Sequence, residues 1–411
     1  MKKLLGAAFA AILASGIAAL AANLSLLSGP QDPSQLQATV NALIQSINSG
    51  ITPQSMAPFN NARNILDNGA MAIDQRGTGT FTCGTTTVPQ TTAYAADRWG
   101  CNVNVTSGAG QLTVITATPA PPAGFTNSLK LVRNSGALTQ PQCVWQEIPT
   151  VDATTLAGQQ VTYSAYVQAL AGLAADQGST SQAVNFVIVT GTGSDQGLQS
   201  FTASPAITPA FTGVATTQNA SIALPVTPAW ARYSAPSVLI PTTTTEIAVG
   251  VCFTPTATGA GTTDGFAFTG VQFEVGTAAS PFEFRPIGVE LEKVQRYYWQ
   301  ITEPAASVSI GPSGQGASTT TCILTIPLPV PMRVAPTAAF LGTALANSTW
   351  TVTHVVTNSA LSTPFLAATA GGSTVNMLNL TATTGAVLTA GQTCTLTGAA
   401  GGAILAATAD F

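Results

Sequence analysis

The chain of 411 residues is poor in charge, since only 7% of its residues are charged and its formal net charge is -4. Soluble proteins usually have about a quarter of their residues charged, so this surface is built mainly from small polar residues, Gly and Ala, as in proteins that work by contact. The lack of a basic excess argues against nucleic-acid binding. The single histidine, His354, argues against a Ser/His/Asp hydrolase and a histidine-rich metal site. We expect no cofactor and no metal.

The N-terminus begins with Lys2 and Lys3, followed by an apolar run at residues 4–22 that ends in a small-x-small pattern. This arrangement is typical of a secretory signal peptide. A retained helix rich in Gly and Ala, packed against copies of itself, against a membrane or inside an assembly, is the other interpretation. Both stay open at this point.

A short helix is predicted next, because Asp32-Pro33 provides an acidic N-cap and a proline in the first turn. Its apolar residues follow at spacings of four, three and four, which is a coiled-coil seam of about two heptads: Leu36, Val40, Leu43 and Ile47. The seam sets the register of a trimer, or the helix docks on its own domain. Residues 1–60 are therefore predicted to form an anchoring or oligomerising segment with a linker.

Residues 61–298 are predicted to be all β. Val161 to Val167 alternates in polarity, Val184 to Val189 is continuously apolar, and Thr245 to Phe253 places apolar residues on one face. Many short strands joined by polar, turn-rich loops are typical of a sandwich or jelly roll. No helical periodicity of useful length is present here.

The last strand of this domain is predicted to carry one apolar face at Val271, Phe273 and Val275. Phe266 and Phe268 are out of phase with that face, and Gly270 stands where the phase breaks, which predicts a β-bulge. Charged residues concentrate just after the strand: Glu283, Arg285, Glu290, Glu292, Lys293 and Arg296.

The aromatic triplet Tyr297, Tyr298 and Trp299 follows the charged segment. It is predicted to lie at an interface between the jelly roll and the last domain or a neighbouring subunit, although an ordinary domain-closing strand is an equal alternative. Residues 299–411 contain few charged side chains and several strand patterns, which predicts a smaller β domain. So little charge suggests that neighbouring subunits cover this domain.

The six cysteines are widely spaced, with no CxxC pair to suggest zinc or thiol redox chemistry. Their even number allows disulfides, and Cys83 and Cys101 are the closest pair in sequence. Buried thiols are the alternative. The sequence does not decide between the two.

Several sequence blocks resemble structural proteins of tailed bacteriophages, especially fibre and appendage proteins. The opening block runs from Asn64 to Arg76, resembles N-x-I-x-N-G-x-M-x-I-x-Q-R and is predicted to form the opening strand of the domain. Further blocks follow in the order found in that family: Tyr94 with Asp97-Arg98-Trp99, Gly124 to Lys130, Thr269 to Gly276, Thr277 to Glu283, and Gln295-Arg296-Tyr297-Tyr298.

This resemblance implies a jelly-roll domain similar to carbohydrate-binding modules, carried in the virion by a fibre, spike or decoration protein that is often trimeric. We therefore expect a homotrimer that binds host surface glycan, or the capsid or tail, and has no nucleic-acid partner. The leader-like N-terminus keeps a secreted or surface-anchored bacterial carbohydrate-binding protein as the alternative. A tail-spike polysaccharide depolymerase is the second alternative.

Sugar binding needs aromatic faces and groups that bond hydroxyls. Trp230 and Tyr166 are predicted to contact the ligand, and Tyr163 is a further aromatic candidate, whereas Trp99 and Trp145 are predicted to lie in the core. A glycosidase needs only two suitably spaced carboxylates. The candidates are Asp74, Asp97, Asp152, Asp264, Glu274 and Glu283. No enzymatic activity is expected, because two of these acids, Asp74 and Asp97, lie in motifs shared with structural proteins.

Overall fold

A computed structural model describes the chain from residue 63 onwards, in segments that belong to one compact unit, Asn60–Phe411. The described segments are residues 63–77, 79–85, 93–103, 110–115, 117–133, 141–176, 182–197, 201–204, 206–209, 211–225, 228–255, 264–302, 313–341, 350–354, 358–360, 367–368, 372–383, 388–398 and 404–410. The N-terminal apolar run and the predicted helix with Leu36, Val40, Leu43 and Ile47 lie outside them.

The first part of the described chain is almost entirely extended, which confirms the all-β prediction. The strands Gln160–Ala169, Gln182–Gly191 and Glu246–Phe253 coincide with the three apolar patterns identified in the sequence. The strands are β1 (Thr80–Thr82), β2 (Gly84–Thr85), β3 (Ala93–Tyr94), β4 (Gly100–Val103), β5 (Gly110–Ile115), β6 (Ser128–Arg133), β7 (Gln142–Ile148), β8 (Gln160–Ala169), β9 (Gln182–Gly191), β10 (Phe201–Ser204), β11 (Ala206–Pro209), β12 (Ala215–Leu224), β13 (Ala231–Leu239), β14 (Glu246–Phe253) and β15 (Gly265–Val275).

Two mainly antiparallel sheets form the sandwich in the described residues. The first sheet has the order β1-β5-β6-β15-β8-β13, and the second has the order β12-β9-β14-β7-β4-β2, with β3 paired to β4. The β2–β4 pair is parallel. Each sheet turns alternate side chains inward, as the two-residue period of a strand requires, and Val161, Tyr163 and Val167 of β8 enter the shared core.

The predicted bulge in β15 is present. The register of β15 against β8 shifts between Thr269 and Gln272, and Gly270 has φ +58°. The extra residue reverses the phase of the strand, so that Phe266 and Phe268 share the core face with Phe273.

The opening motif at residues 64–76 is not a strand, so the prediction that it forms the opening strand of the domain is wrong. It runs as turns and bends beside β15. The side chain of Asn64 takes the place of a strand partner, because its Nδ2 donates to the Val271 carbonyl (2.9 Å) and its Oδ1 accepts from the Phe273 amide (3.0 Å). Asn68 and Met71 have positive φ, which interrupts an extended ladder.

Short helices connect some of the strands: α1 (Thr150–Leu156), α2 (Ala171–Asp176) and α3 (Ile287–Gln295). The first two lie within a region that shows no helical periodicity, because each is only one or two turns long. None of the helices in the described segments has the length and apolar character needed to cross a bilayer.

The last part of the described chain forms two further sheets, in the orders β16-β25-β19 and β21-β20-β24-β17-β18-β23-β22. Leu324, Leu380, Leu396 and Leu405 belong to their common core. The strands are β16 (Tyr298–Thr302), β17 (Gly314–Gly316), β18 (Thr321–Pro327), β19 (Thr337–Leu341), β20 (Trp350–His354), β21 (Asn358–Ala360), β22 (Ala367–Ala368), β23 (Met377–Thr383), β24 (Thr393–Gly398) and β25 (Ile404–Thr408).

The aromatic triplet joins the sandwich to these C-terminal sheets within one chain. Tyr297 and Tyr298 are buried, and the Tyr297 carbonyl accepts from the amide of Ala409 (2.7 Å). The guanidinium of Arg98 lies 3.5 Å from the ring centroid of Tyr297, and that of Arg76 lies 3.7 Å from the ring centroid of Tyr298. Trp299 packs against the C-terminal core.

Ion pairs between distant parts of the sequence hold the same junction. Arg76 contacts Asp97 (3.2 Å) and Asp410, so it ties the end of the chain to the opening motif. Burial raises the pKa of Asp97 to about 6, although Arg76 opposes the shift. Burial, assisted by the charge of Asp97, raises the pKa of Asp74 to about 7. Charged carboxylates are therefore costly at this junction.

All six cysteines form disulfides, which resolves the question that the sequence left open. The pairs are Cys83–Cys101, Cys143–Cys252 and Cys322–Cys394. The first two are in the sandwich and the third is in the C-terminal sheets, where it joins β18 to β24. Each part of the fold is therefore cross-linked separately.

Candidate functional site

The outer face of the first sheet carries the starting point of the candidate site, Tyr166 on β8. The odd-numbered residues of β8 point into the core, so Tyr166 points outward. It lies between Arg232 of β13 and Thr269 of β15, which are its cross-strand partners. Its ring is therefore held on both sides by the sheet.

The loop between β5 and β6 folds over this face and places Phe125 against Tyr166, with ring centroids 5.4 Å apart. A turn that bonds the Phe125 amide to the Pro122 carbonyl (3.1 Å) shapes the loop, and Gly124 provides a positive φ of +94°. The bulge at Gly270 makes room for the ring. A Cβ at that position would lie 2.6 Å from the Cζ of Phe125.

The segment after β15 supplies two more rings. The centroids of Phe282 and Phe284 both lie 5.1 Å from that of Phe125, and they are 4.9 Å from each other. Such contacts contribute about 0.5–1.5 kcal/mol each beyond the burial of area. Together these rings form one packed aromatic cluster at the surface.

Buried polar residues of β15 anchor this segment. Glu274 accepts from the Ser280 amide (2.8 Å) and from its hydroxyl (2.5 Å). Gln272 accepts from the Glu283 amide (2.8 Å) and donates to the Ser280 hydroxyl (3.0 Å). Phe282 and Phe284 alternate with Glu283 on a backbone fixed at both ends, so their rings are positioned before any ligand arrives.

A cleft of about 180 Å³ opens beside the cluster, and we call it the aromatic cleft. Phe284 and Ile287 at its rim are 58% and 59% exposed. The lining residues are Asn68, Ala70, Ala72, Gly124, Phe125, Thr126, Phe282, Glu283, Phe284, Arg285, Ile287 and Glu290. The cleft thus combines accessible apolar surface with a few polar groups, as small-molecule sites do.

The charged groups of the aromatic cleft form one network. Arg285 lies 3.0 Å from Glu290 and 3.9 Å from Glu283. Glu290 also accepts from the amide of Asn68 (2.8 Å), and Glu283 accepts from the amide of Asn64 (2.7 Å). Burial raises the pKa of Glu290, while Arg285 and the Asn68 amide oppose the shift. The network connects the opening motif to the start of α3.

The two residues predicted to bind ligand lie beside this cluster rather than in the lining of the cleft. Tyr166 contacts Phe125, as described above. Trp230 is half-buried just before β13, and its Nε1 donates to the carbonyl of Ala120 in the loop that carries Phe125 (2.6 Å). Both therefore support the loop. Trp99 and Trp145 are buried as predicted, and Tyr163 is also in the core, which removes it as a ligand contact.

The sequence did not identify the three phenylalanines of the cluster or Arg285 and Glu290. The signal that was available is the alternation Phe282, Glu283, Phe284 directly after a predicted last strand, which leaves aromatic side chains without a sheet to pack on. Phe125 follows a glycine in one of the phage-like blocks. Their proximity depends on the bulge and on loop geometry, which spacing does not reveal.

Three of the candidate glycosidase acids are occupied by structural bonds. Asp97 accepts from the amide and the side chain of Gln75, both at 3.0 Å, and Glu274 is bonded to Ser280 as described. Asp264 is paired with Arg133 at 2.7 Å, and both side chains are fully buried. Glu283 is the candidate acid that lines the aromatic cleft. Among the described residues, no group of three or more His, Cys, Asp or Glu is placed to hold a metal.

No protein-family model and no curated protein matches the chain. Among solved structures, it is similar to the enzymatically active domain of bacteriophage CBA120 tailspike protein 4, with 10% identity and a TM-score of 0.29 over 52% of this chain and 21% of that one. It is also similar to the C-terminal family 22 carbohydrate-binding module of Clostridium thermocellum Xyn10B, with 14% identity and a TM-score of 0.27 over 51% of this chain and 99% of the module. A third similar structure is TmCBM61 in complex with β-1,4-galactotriose, with 11% identity and a TM-score of 0.26 over 53% of this chain and 100% of that one. TM-scores this low do not establish a shared function.

Proposed function

We propose that this chain is a bacteriophage virion protein, carried as a fibre, spike or decoration protein, that binds host surface glycan through the aromatic cleft without cleaving it. The observation that carries the glycan-binding part is the cluster of Phe125, Phe282 and Phe284 beside the carboxylate of Glu283 on the outer face of a β-sandwich. The resemblance of the sequence blocks to phage fibre proteins supports the virion part.

The chemistry of the cleft suits a sugar ring. The apolar face of a pyranose stacks on an aromatic ring, and Phe284 offers an exposed one, while a carboxylate accepts hydrogen bonds from hydroxyls. Pockets for drug-sized ligands have volumes of about 300–1,000 Å³, so the smaller cleft of about 180 Å³ fits about one sugar ring. We therefore propose that one sugar unit enters the cleft and that its neighbours stay outside.

The arrangement favours binding over hydrolysis. A glycosidase needs one carboxyl group that donates a proton and one that attacks or activates water. Glu290, the other carboxylate of the cleft, is bound by Arg285 and the amide of Asn68, and Glu283 holds the amide of Asn64. Both acids therefore act as acceptors that hold the segment in place, and neither is placed to donate a proton to a glycosidic oxygen.

A glycan array tests the binding part. We expect the wild-type protein to bind a subset of immobilised glycans and Phe125→Ala to lose this binding, because the ring supports both Phe282 and Phe284. Val151→Ala, at an exposed residue of α1 outside the cleft, is the matched control. Equal binding by Phe125→Ala and the wild type contradicts the assignment to the cleft.

The virion part and the assembly state need separate tests. Mass spectrometry of purified phage particles should detect the chain among the structural proteins, and light scattering of the purified protein should give the mass of a homotrimer. Absence from the particles contradicts the virion proposal, and a monomer contradicts the trimer. Neither result affects the test of the cleft.

A secreted or surface-anchored bacterial glycan-binding protein is the second candidate, and the disulfides favour it. Three disulfides that use all six cysteines indicate folding in an oxidising compartment. Intact mass of the natural protein distinguishes the two candidates. A chain that begins near Ala22 or Asn23 supports secretion, whereas survival of Met1 or Lys2 supports the virion protein.

A further inference from the structure

We propose that the aromatic cleft selects neutral or amino sugars and rejects acidic ones, such as uronic and sialic acids. This inference rests on the proposed glycan binding and adds the charge class of the ligand. It follows from which charged groups around the cleft are accessible and which are bonded to the protein.

Among the described residues, Arg285 is the only cationic side chain that lines the cleft, and it is bonded to the protein. Its guanidinium donates to the carbonyls of Asn64 (2.8 Å) and Leu66 (2.5 Å) and lies 3.0 Å from Glu290. Its side chain is only 6% exposed. Its Nε and Nη1 atoms are buried, so a ligand carboxylate finds no accessible guanidinium, although Arg is the usual partner for such a group.

The carboxylates of the cleft are more accessible than this cation. The side chains of Glu283 and Glu290 are 21% and 12% exposed, and they outnumber Arg285 two to one. An incoming hydroxyl or ammonium group can donate to these oxygens, whereas an incoming carboxylate meets like charge. The wall of the cleft is therefore negative.

The other polar groups around the cleft do not offset this charge. The side-chain amide of Asn68 donates to the carbonyls of Ile73 (2.8 Å) and Asp97 (3.0 Å). Lys293, on the same helix as Glu290, bonds to Asp67 (2.8 Å), and Arg63 bonds to the hydroxyl of Ser280 (3.0 Å). Neither cation lines the cleft.

The size of the discrimination follows from Coulomb's law. Two like charges about 5 Å apart repel enough, at the effective dielectric near a protein surface, to weaken binding by about tenfold or more. Salt screens this repulsion. An acidic counterpart of a bound neutral sugar should therefore bind about tenfold more weakly at low salt, with a smaller gap at high salt.

The test uses an array that carries neutral, amino and acidic glycans, including uronic-acid counterparts of the neutral members. Glu283→Gln keeps the shape and the acceptor for Asn64 but removes one charge, so it should gain about tenfold in binding to the acidic counterpart. Glu292→Gln, on the exposed side of α3 and outside the cleft, is the control and should show no gain. If Glu283→Gln does not fold, the salt dependence of the wild-type protein supplies the same readout.

Each outcome decides something. If the wild-type protein binds the acidic counterpart as tightly as the neutral glycan, the charge selection is overturned and the proposed glycan binding stays intact. Selection that persists unchanged in Glu283→Gln and at high salt overturns its assignment to the cleft carboxylates. Failure to bind any glycan on the array overturns the proposed function, and the inference falls with it.

Discussion

Replacement of Gly270 by alanine tests how the bulge of β15 builds the aromatic cleft. The new Cβ would lie 2.6 Å from Cζ of Phe125 and 2.9 Å from Cδ2 of Tyr166, so at least one ring must move. A non-glycine residue at the observed φ of +58° costs about 1–2 kcal/mol. Displacement of Phe125 weakens three ring contacts worth about 0.5–1.5 kcal/mol each. Together we expect a loss of about 2–4 kcal/mol.

Urea unfolding of the disulfide-intact protein measures this loss, and Gly77→Ala is the matched control. Gly77 has φ +92°, and a Cβ there meets nothing within 4 Å, so this variant shows the backbone cost alone. In a double-mutant cycle, Phe125→Ala should relieve the clash, and Gly270→Ala should then cost about 1 kcal/mol less than in the wild-type background. Equal losses for the two glycine variants, or strict additivity in the cycle, would refute the account of the bulge.

Three further predictions concern stability. Phe284→Ala should lower the free energy of unfolding by about 1–3 kcal/mol, because the mostly exposed ring loses its contacts with Phe125 and Phe282 but little buried area, and a loss of more than about 4 kcal/mol in urea titration would show that it is a core residue. The pKa of Asp74 is raised to about 7 in the folded protein, so the contribution of Asp74 to stability is complete below its unfolded pKa near 3.8 and is lost as the pH rises through about 7. Asp74→Asn should therefore remove about 1–2 kcal/mol of this decline in stability, allowing for solvent screening. An unchanged pH dependence of unfolding in this variant would contradict the assignment. Replacement of Cys143 and Cys252 by alanine should cost about 3–5 kcal/mol of stability, because their disulfide closes a long loop. This loss should exceed that for the Cys83 and Cys101 pair, which closes a shorter loop, and an equal or smaller loss in thermal or urea unfolding would contradict the prediction.

The strands were predictable because their signal is local. In β8 and β14, apolar side chains recur every second residue, and this period predicts both the conformation and the face that enters the shared core. The bulge was also predictable, because Gly270 stands where the phase of β15 breaks. The space that the bulge leaves for Phe125 was not predictable, because that ring belongs to a loop distant in sequence.

The opening motif shows where local patterns are insufficient. Residues 64–76 resemble the start of a β domain, but Asn64 and Asn68 bond the backbone through their side chains and replace a strand ladder with turns. Tyr163 and Tyr166 are close in sequence and similar in chemistry, yet one is in the core and the other faces outward. Only the register of β8 separates them.

Binding of a glycan selected on the array, measured by calorimetric titration with the wild-type protein and Phe284→Ala, tests the central claim most directly. Since Phe284 is mostly exposed and lies outside the core of the sandwich, Phe284→Ala should still fold, and a loss of affinity in this variant reports on the cleft itself. We expect affinity to fall by about tenfold or more, as removal of a stacking ring costs roughly 1–3 kcal/mol, while Val151→Ala binds as the wild type does. Unchanged affinity in Phe284→Ala would contradict the claim that the aromatic cleft binds the sugar.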